Sequence, residues 1–310
     1  MSLANKATMP NGRRMHDGMI KSTGTRVGDW VIAIICFVLM LICIIPMLYV
    51  LANSLSSPDA LVYNRVFLWP EGWNIEAYKT VLTGEKYLWS LGWTAILTVV
   101  CTLLSITLTI CASYPLIYTN LKGGKTISLF FILTMYFSAG TIPGYLLLKG
   151  LNMLDTPLAL ILPNCISVFN VIIMRSFFFG VPDSLREAAE IDGAGPLRVL
   201  LKVYLPLSLP VIATLSLFYA VGRWNGFSDA QLYLSSKASR YYPIQKLLYD
   251  LIQNSTNTSE NLSAGDYNEN GVPQTIQMAT VIFATVPILL VYPWLQRYFV
   301  AGVTIGAVKG

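Results

Sequence analysis

Residues 187–206 read EAAEIDGAGPLRVLLKVYLP, a charged, glycine-broken stretch between two long apolar runs. Its chemistry describes two short helices and a turn. Ser184 with Glu187 three residues on is a capping box, which opens a helix over about 185–192. Two turns of helix make it roughly 12 Å long. Gly193 ends it, because glycine takes the left-handed conformation at C′ without a Cβ penalty. Gly195-Pro196 then turns the chain, and Pro196 suits the first position of a second helix over about 197–205. That helix carries Arg198 and Lys202 on one face and rejoins apolar chain at Leu205-Pro206. Ala188 and Ala189 leave a small surface that another protein can approach closely. Glu187 and Glu190 offer carboxylates to a basic partner. The whole segment reads as a lever projecting from an apolar body.

That body belongs in a bilayer. Of 310 residues, 55% are hydrophobic and 12% charged, against about 25% charged in a soluble domain. Mean hydropathy is +0.58. A span needs about 20 apolar residues, and six runs qualify: 30–51, 92–118, 126–148, 158–178, 207–223 and 275–295. The expected fold is all-α, one polytopic domain of six transmembrane helices. Prolines 46, 115, 143, 163, 210, 287 and 293 fall within these runs; neighbouring helices and water satisfy the backbone groups that such prolines free. The first run exceeds the 7–15-residue core of a signal peptide and reads as a retained span.

An even number of spans puts both termini on one side. With Arg175 counted there and Arg223 opposite, that side carries 13 Lys/Arg and 6 acidic residues, net +7. The other side carries 8 and 10, net −2. The basic excess marks the side of the termini and of the 187–206 loop as cytoplasmic.

Several function classes drop out. The basic residues follow topology and form no stripe, so nucleic acid is not a partner. The five cysteines lie in apolar runs without a CxxC pair, so neither metal nor redox chemistry has support. The GGKT at 123–126 is not a phosphate-binding loop, because Thr119 stands where the motif needs glycine and a span precedes it in place of a strand. No Asp, Glu or Lys lies within a span, and His16 is in the tail. Arg175 and Arg223 stand at span ends, within reach of headgroups or water. Proton relays and intramembrane proteolysis have no residues to work with. Sodium coupling through backbone carbonyls at broken helices stays open; without it, the driving energy comes from outside the chain.

On the opposite side, Trp69, Trp73 and Trp89 suit an interfacial belt, and a short helix follows Ile75. The longest loop, 224–274, holds a helix over 243–253 with apolar spacing at Ile244, Leu247, Leu248, Leu251 and Ile252. A polar tract follows, in which Asn254, Asn257 and Asn261 begin N-x-[ST] patterns by virtue of its composition.

The 187–206 loop resembles the signature of ABC-importer permeases. That signature is EAA, three residues, Gly, nine residues, an aliphatic, one residue, then Leu-Pro. Here it is Glu187-Ala188-Ala189, Gly193, Val203 and Leu205-Pro206; the family often has Ile where Val203 stands. LWPEGWNIEAY (68–78), ALILPNCISVFNVIIMRSFF (159–178), FYAVGRWNGF (218–227) and the terminal QRYFVAGVTIGAVKG (296–310) resemble carbohydrate permeases. They are most similar to those for complex oligosaccharides such as aldouronates, and more distantly similar to the maltose type. The resemblance spans about residues 30–310.

It implies a type I importer permease in a bacterial cell membrane. A tail at 1–29, a six-span domain at 30–295 and a tail at 296–310 would make up the chain, both tails cytoplasmic. A second permease of different sequence would complete the pore, two ATPase subunits would dock on the 180–206 loop, and an extracellular solute-binding protein would deliver the oligosaccharide. The loop residues implied in coupling are Glu187, Ala188, Ala189, Glu190, Asp192, Gly193 and Pro206. The chain itself would bind no cofactor and catalyse nothing; ATP and magnesium would sit on the ATPases. Sugar sites combine aromatic faces with amides and hydroxyls, which makes Tyr136, Asn170, Tyr219, Trp224 and Asn225 the candidates along the substrate pathway. A permease for a peptide or amino acid, or a self-sufficient secondary transporter, remain the alternatives.

Overall fold

The structure, a computed structural model, describes residues 23–118, 120–261 and 274–307. The tail at 1–22, the polar tract at 262–273 and the last three residues lie outside the described residues. Among the described residues every regular element is helical.

Residues 1–50 and 51–310 form separate compact units. The first holds most of helix α1 (Thr23–Ser54), which is apolar on every side, as a lipid-facing span is. In the second unit α2 (Pro58–Val62) starts at Ser57, whose side chain accepts from the Ala60 amide. The chain then turns into α3 (Glu76–Thr83), where Asn74 Oδ1 accepts from the Glu76 amide at 2.7 Å. This is the short helix expected after Ile75. Gly84 alone separates it from α4 (Glu85–Ser113), the long helix around which this unit is built. Helices α12, α8 and α14 all pack against α4. Its inner side presents Ser90, Thr94, Leu97, Cys101, Ser105 and Thr109, all buried, so neighbouring backbones can come close.

Among the described residues three stretches are long and apolar enough to cross a membrane, 28–54, 85–117 and 274–291, and the total reaches six when each of three bent helix pairs counts as one span. The expected run at 126–148 is one of these pairs. Helix α5 (Gly124–Tyr136) and α6 (Thr141–Gly150) meet at 113°. Gly140, at φ +88°, ψ 176°, makes the corner in a conformation closed to other residues. Pro143 consequently stands in the first turn of α6 and does not kink a continuous helix. The run at 158–178 is interrupted as well. Helix α7 (Leu158–Ile161) stops before Pro163, and α8 (Val168–Phe179) begins after Ser167, which caps it by accepting from the Asn170 amide.

Helix α9 (Asp183–Ile191), α10 (Pro196–Val199), a π-helical turn (Leu200–Tyr204) and α11 (Leu205–Leu207) make up the signature loop. Helix α12 (Leu209–Trp224) then leaves at 83° to the preceding segment. After it come α13 (Ser228–Tyr233), a 3₁₀ segment (Ser236–Tyr241), α14 (Ile244–Asn261) and α15 (Gln274–Ala307). Ile244, Leu247 and Leu251 face inward on α14, as their spacing requires. Helix α15 runs well past residue 295, where the sequence suggests a span end. The segment before α14 is stitched to α4. Trp89 Nε1 donates to the Arg240 carbonyl and Trp93 Nε1 to that of Tyr241, both at 2.8 Å. Ser90 donates to the Tyr242 carbonyl at 2.7 Å. Trp89, whose ring stays exposed, therefore also ties two chain segments together.

Candidate functional site

The signature loop folds as two helices and a turn, and its fixed point is the turn. Asp192 caps α9 and Gly193 follows at φ +79°. The Gly193 amide donates to the Glu190 carbonyl at 3.0 Å and the Ala194 amide to the Ala189 carbonyl at 2.9 Å. These two bonds are the Schellman pattern that the glycine at C′ anticipates. Pro196 opens α10, again as expected.

The start of α9 differs from expectation. Pro182 occupies the N-cap, no side chain caps the helix, and Ser184 lies inside it. The capping box is preempted because Asp183 already sits in the first turn, where a carboxylate complements the helix dipole. Arg186 gathers the acidic side chains instead, with Glu190 at 3.1 Å, Asp183 at 3.5 Å and Glu187 at 3.7 Å. The bond to Glu190 holds the Arg186 guanidinium above its ordinary pKa. Of the two carboxylates expected to face a partner, Glu187 is the freer. The alanines also divide: Ala188 is exposed, whereas Ala189 packs inward. The second helix is not uniform, because the Leu205 amide reaches back five residues to the Leu200 carbonyl. Asp192, Gly193 and Pro206 are exposed, and Ile191 at the apex is 86% exposed. Leu197, Leu201, Arg198 and Lys202 flank a shallow hollow beside the turn.

Beneath the loop lies a group of rings that sequence reasoning did not single out. Tyr114 follows α4 directly and meets Tyr204 edge-on at 5.4 Å, Tyr118 at 5.5 Å and Phe178 at 6.3 Å. Phe178 and Tyr204 meet at 5.5 Å. Tyr114, Phe178 and Tyr204 are buried, and edge-to-face pairs of this kind add about 0.5–1.5 kcal/mol each beyond area burial. The Tyr114 hydroxyl donates to the Pro196 carbonyl at 2.9 Å and lies 2.6 Å from the Tyr118 hydroxyl. Arg186 stacks over the Tyr118 ring at 5.8 Å. The first residue of α10 is thus bonded directly to the end of α4. The aromatic residues at 114, 118, 178 and 204 were visible in the sequence; α4 and α8 bring the first three together, and the folding back of the loop adds Tyr204.

The second feature is a cleft of about 670 Å³ between α4, the break before α8, and the end of α12. Broken helices at membrane depth line cavities, because the backbone groups they free need polar company. Here Tyr219 supplies it. Its hydroxyl accepts from the Ser167 amide at 3.1 Å and pairs with the Thr109 hydroxyl at 2.7 Å, joining α12 to the break and to α4. Asn164, Asn170, Ser105 and Ser228 add amides and hydroxyls, while Phe169 and Phe218 add ring faces.

Of the five pathway candidates, Asn170 and Tyr219 line this cleft. The other three do not. Tyr136 is 76% exposed at the end of α5, because the corner at Gly140 turns that segment away. Trp224 is buried, its Nε1 donating to the Ala284 carbonyl at 3.1 Å, so packing holds it. Asn225 is the exposed cap residue of α12.

The two arginines expected within reach of headgroups or water make bonds within the protein. Arg175 Nε donates to the Leu116 carbonyl at 3.0 Å, and the guanidinium stacks over Phe179 at 5.5 Å. Arg223 is buried and paired through two hydrogen bonds with Asp229. It also donates to the Leu160 carbonyl at 3.2 Å and the Gly226 carbonyl at 3.1 Å. A Cβ at Gly226 would crowd Arg223 Nη2 at 3.1 Å and the Gly222 carbonyl at 3.2 Å.

A polytopic helical fold with a projecting two-helix loop and a polar cleft at a broken helix defines a membrane permease. The comparison with known proteins gives the family. Residues 102–305 match the binding-protein-dependent transport system inner membrane component, and the chain belongs to that family. It is similar to Protein LplC of Bacillus subtilis, 42% identical over 87% of this chain and 90% of that protein. The polygalacturonan/rhamnogalacturonan transport system permease protein YtcP of the same organism is 40% identical, over 88% and 96%. Among solved structures, one chain of a bacterial ABC transporter involved in the import of the acidic polysaccharide alginate aligns with a TM-score of 0.79 and 31% identity. The alignment covers 90% of this chain and 98% of that one.

Proposed function

We propose that this chain is the permease subunit of an ATP-driven importer for oligosaccharides, working with a second permease, two ATPase subunits and an extracellular solute-binding protein. The observation that carries the reading is the signature loop. It is held rigid by the Gly193 turn, exposes Ile191 and the hollow beside it to a docking subunit, and is bonded through Pro196 to Tyr114 at the end of α4. Closure of the ATPases pushes α9 and α10. The aromatic group hands that displacement to α4 and α8, both of which border the cleft, and the spans rock between two orientations.

The sugar assignment rests on the cleft and on the relatives. Amides, hydroxyls and two aromatic rings suit a polyhydroxylated ligand, and the names of the permease YtcP and of the alginate transporter concern polysaccharide transport. Asn170 and Tyr219 are the pathway residues retained in this reading. ATP and magnesium belong to the partner ATPases, and this chain performs transport without a catalytic centre of its own. The charge distribution supports cytoplasmic termini and a cytoplasmic signature loop.

The test is purification of the tagged chain in mild detergent, identification of what accompanies it, and reconstitution into proteoliposomes. A P-loop ATPase and a second six-span permease should co-purify. Uptake of labelled oligosaccharide should need ATP inside the assembly's ATPase face and binding protein on the other. Transport by this chain alone would return the secondary-transporter reading. Uptake of peptides or amino acids in place of sugars would return the other alternative.

A further inference from the structure

The cleft contains two charged groups among its lining residues, Arg223 and Asp229. Their arrangement decides how the wall treats a charged ligand. Arg223 sits in the last turn of α12, where a cation complements the carbonyl end of the helix dipole. Its side chain is 8% exposed and that of Asp229 is 11%. Asp229 takes the Nη1–Nη2 end of the guanidinium, Oδ2 accepting from Nη1 and Oδ1 from Nη2 at 3.1 Å. The remaining Nη donors go to the Leu160 and Gly226 carbonyls. Nε is buried without a partner.

Arginine recognises a carboxylate most strongly through two parallel N–H groups facing the ligand. Arg223 has none to give, because all its Nη bonding is internal and Nε is enclosed by protein. The pair is also neutral as a unit. A uronic acid in the cleft therefore meets a wall with no net charge, and so does a neutral sugar. The remaining polar lining, Asn164, Asn170, Ser105, Tyr219 and Ser228, reads hydroxyl groups, which both kinds of sugar carry.

We propose that the Arg223–Asp229 pair makes this chain's wall of the cleft indifferent to the charge of the oligosaccharide, with Asp229 as the residue that withholds Arg223 from anionic ligands. The proposal rests on the cleft being the sugar path. Charge selection then falls to the solute-binding protein, and this wall accepts acidic and neutral oligomers alike. Replacing Asp229 alone would convert it into an anion-selective surface.

The experiment is equilibrium binding of two probes to the assembled permease–ATPase complex in nanodiscs, with the binding protein omitted. The probes are tetragalacturonate and the same oligomer with its carboxylates methyl-esterified. The parental complex should bind both within about twofold of each other. Asp229→Asn leaves the arginine hydrogen-bonded but unneutralised and should shift the ratio toward tetragalacturonate by roughly tenfold, one unit of logarithmic affinity. Arg223→Gln leaves the carboxylate alone and should shift it by a similar factor toward the ester. The double variant, neutral again, should return to the parental ratio. If one single variant does not assemble, the other still reads the sign, and a merely structural role would weaken both probes together. Single variants with an unchanged ratio overturn the charge-shielding role while leaving the cleft as the sugar path. Failure of the parental complex to bind either probe overturns the cleft reading itself, and the inference with it.

Discussion

Helix α4 ends in a packed aromatic group at Tyr114 and, about two to four turns earlier, lines an open cleft at Cys101 and Ser105. The two regions share that helix and α8, which gives Phe178 to the first and Phe169 and Asn170 to the second. At the loop end the neighbours are Phe178 and Tyr204, both buried, and one directed bond runs from Tyr114 to the Pro196 carbonyl. Close-packed rings of this kind have few low-energy alternatives, so a push on one is felt by the rest. At the cleft end the lining is hydroxyls, amides and an internal ion pair, arranged around empty space. Stiffness where force enters and room where cargo passes are different requirements, and one helix meets them with different residues along its length.

The largest expected effect comes from removing the stiffness at its source. Gly193 holds φ +79° with open space around the position where a Cβ would be. Gly193→Val introduces no clash with a neighbour, so its cost is conformational, at least about 1–2 kcal/mol for a residue forced into the left-handed region. The turn should give way and the loop should lose its angle. In proteoliposomes containing the assembled importer, oligosaccharide import should fall at least tenfold while ATP hydrolysis continues and membrane insertion is normal. Import at the parental rate would mean that the turn is not what transmits.

Two hydroxyl deletions sharpen the comparison, one in each region. Tyr219→Phe leaves the Ser167 amide without its acceptor and Thr109 without its partner, in a site where an unsatisfied group costs about 1–3 kcal/mol. It should slow import severalfold and leave ATP consumed per sugar unchanged, because the defect lies on the path and not in the drive. Tyr114→Phe keeps the ring contacts and removes only the bond to Pro196, worth about 1 kcal/mol. It should raise ATP consumed per sugar by a few fold, with less effect on the maximal import rate. Measured stoichiometries that move the other way round would erase the distinction between the two regions.

Legibility in the sequence followed the same division. The six apolar runs and the helix–turn–helix of the signature loop could be read from local chemistry, because glycine at a C′ position and proline at a first helical position act within a few residues. The breaks were not readable in the same way. Pro163 and Gly140 both lie in apolar runs, and only tertiary packing shows that one opens a cleft while the other turns a corner. The cleft residues were half legible: Asn170 and Tyr219 have the right chemistry and stand there, but Tyr136, Trp224 and Asn225 have it too and stand elsewhere. Arg223 looked like a headgroup anchor because its partner, Asp229, lies beyond the span end. The aromatic group was invisible as a group, since Tyr114 and Tyr204 are brought together only when the loop has folded.

The smallest expected effect tests which end of α9 fixes the lever. A serine that caps a helix costs about 1 kcal/mol when replaced by alanine. Ser184 lies within α9, exposed, and the helix has no side-chain cap at Pro182. Alanine is the better helix former at such an interior position, by a few tenths of a kcal/mol. Ser184→Ala should therefore leave the thermal stability of the assembled importer and its ATP-to-sugar ratio at parental values, or raise stability slightly. A loss of about 1 kcal/mol would restore the capping box and place the anchor at the start of the helix. A neutral result, beside a severe one for Gly193→Val, assigns the fixed point of the loop to its C-terminal turn, the end that bears directly on Pro196 and through it on α4.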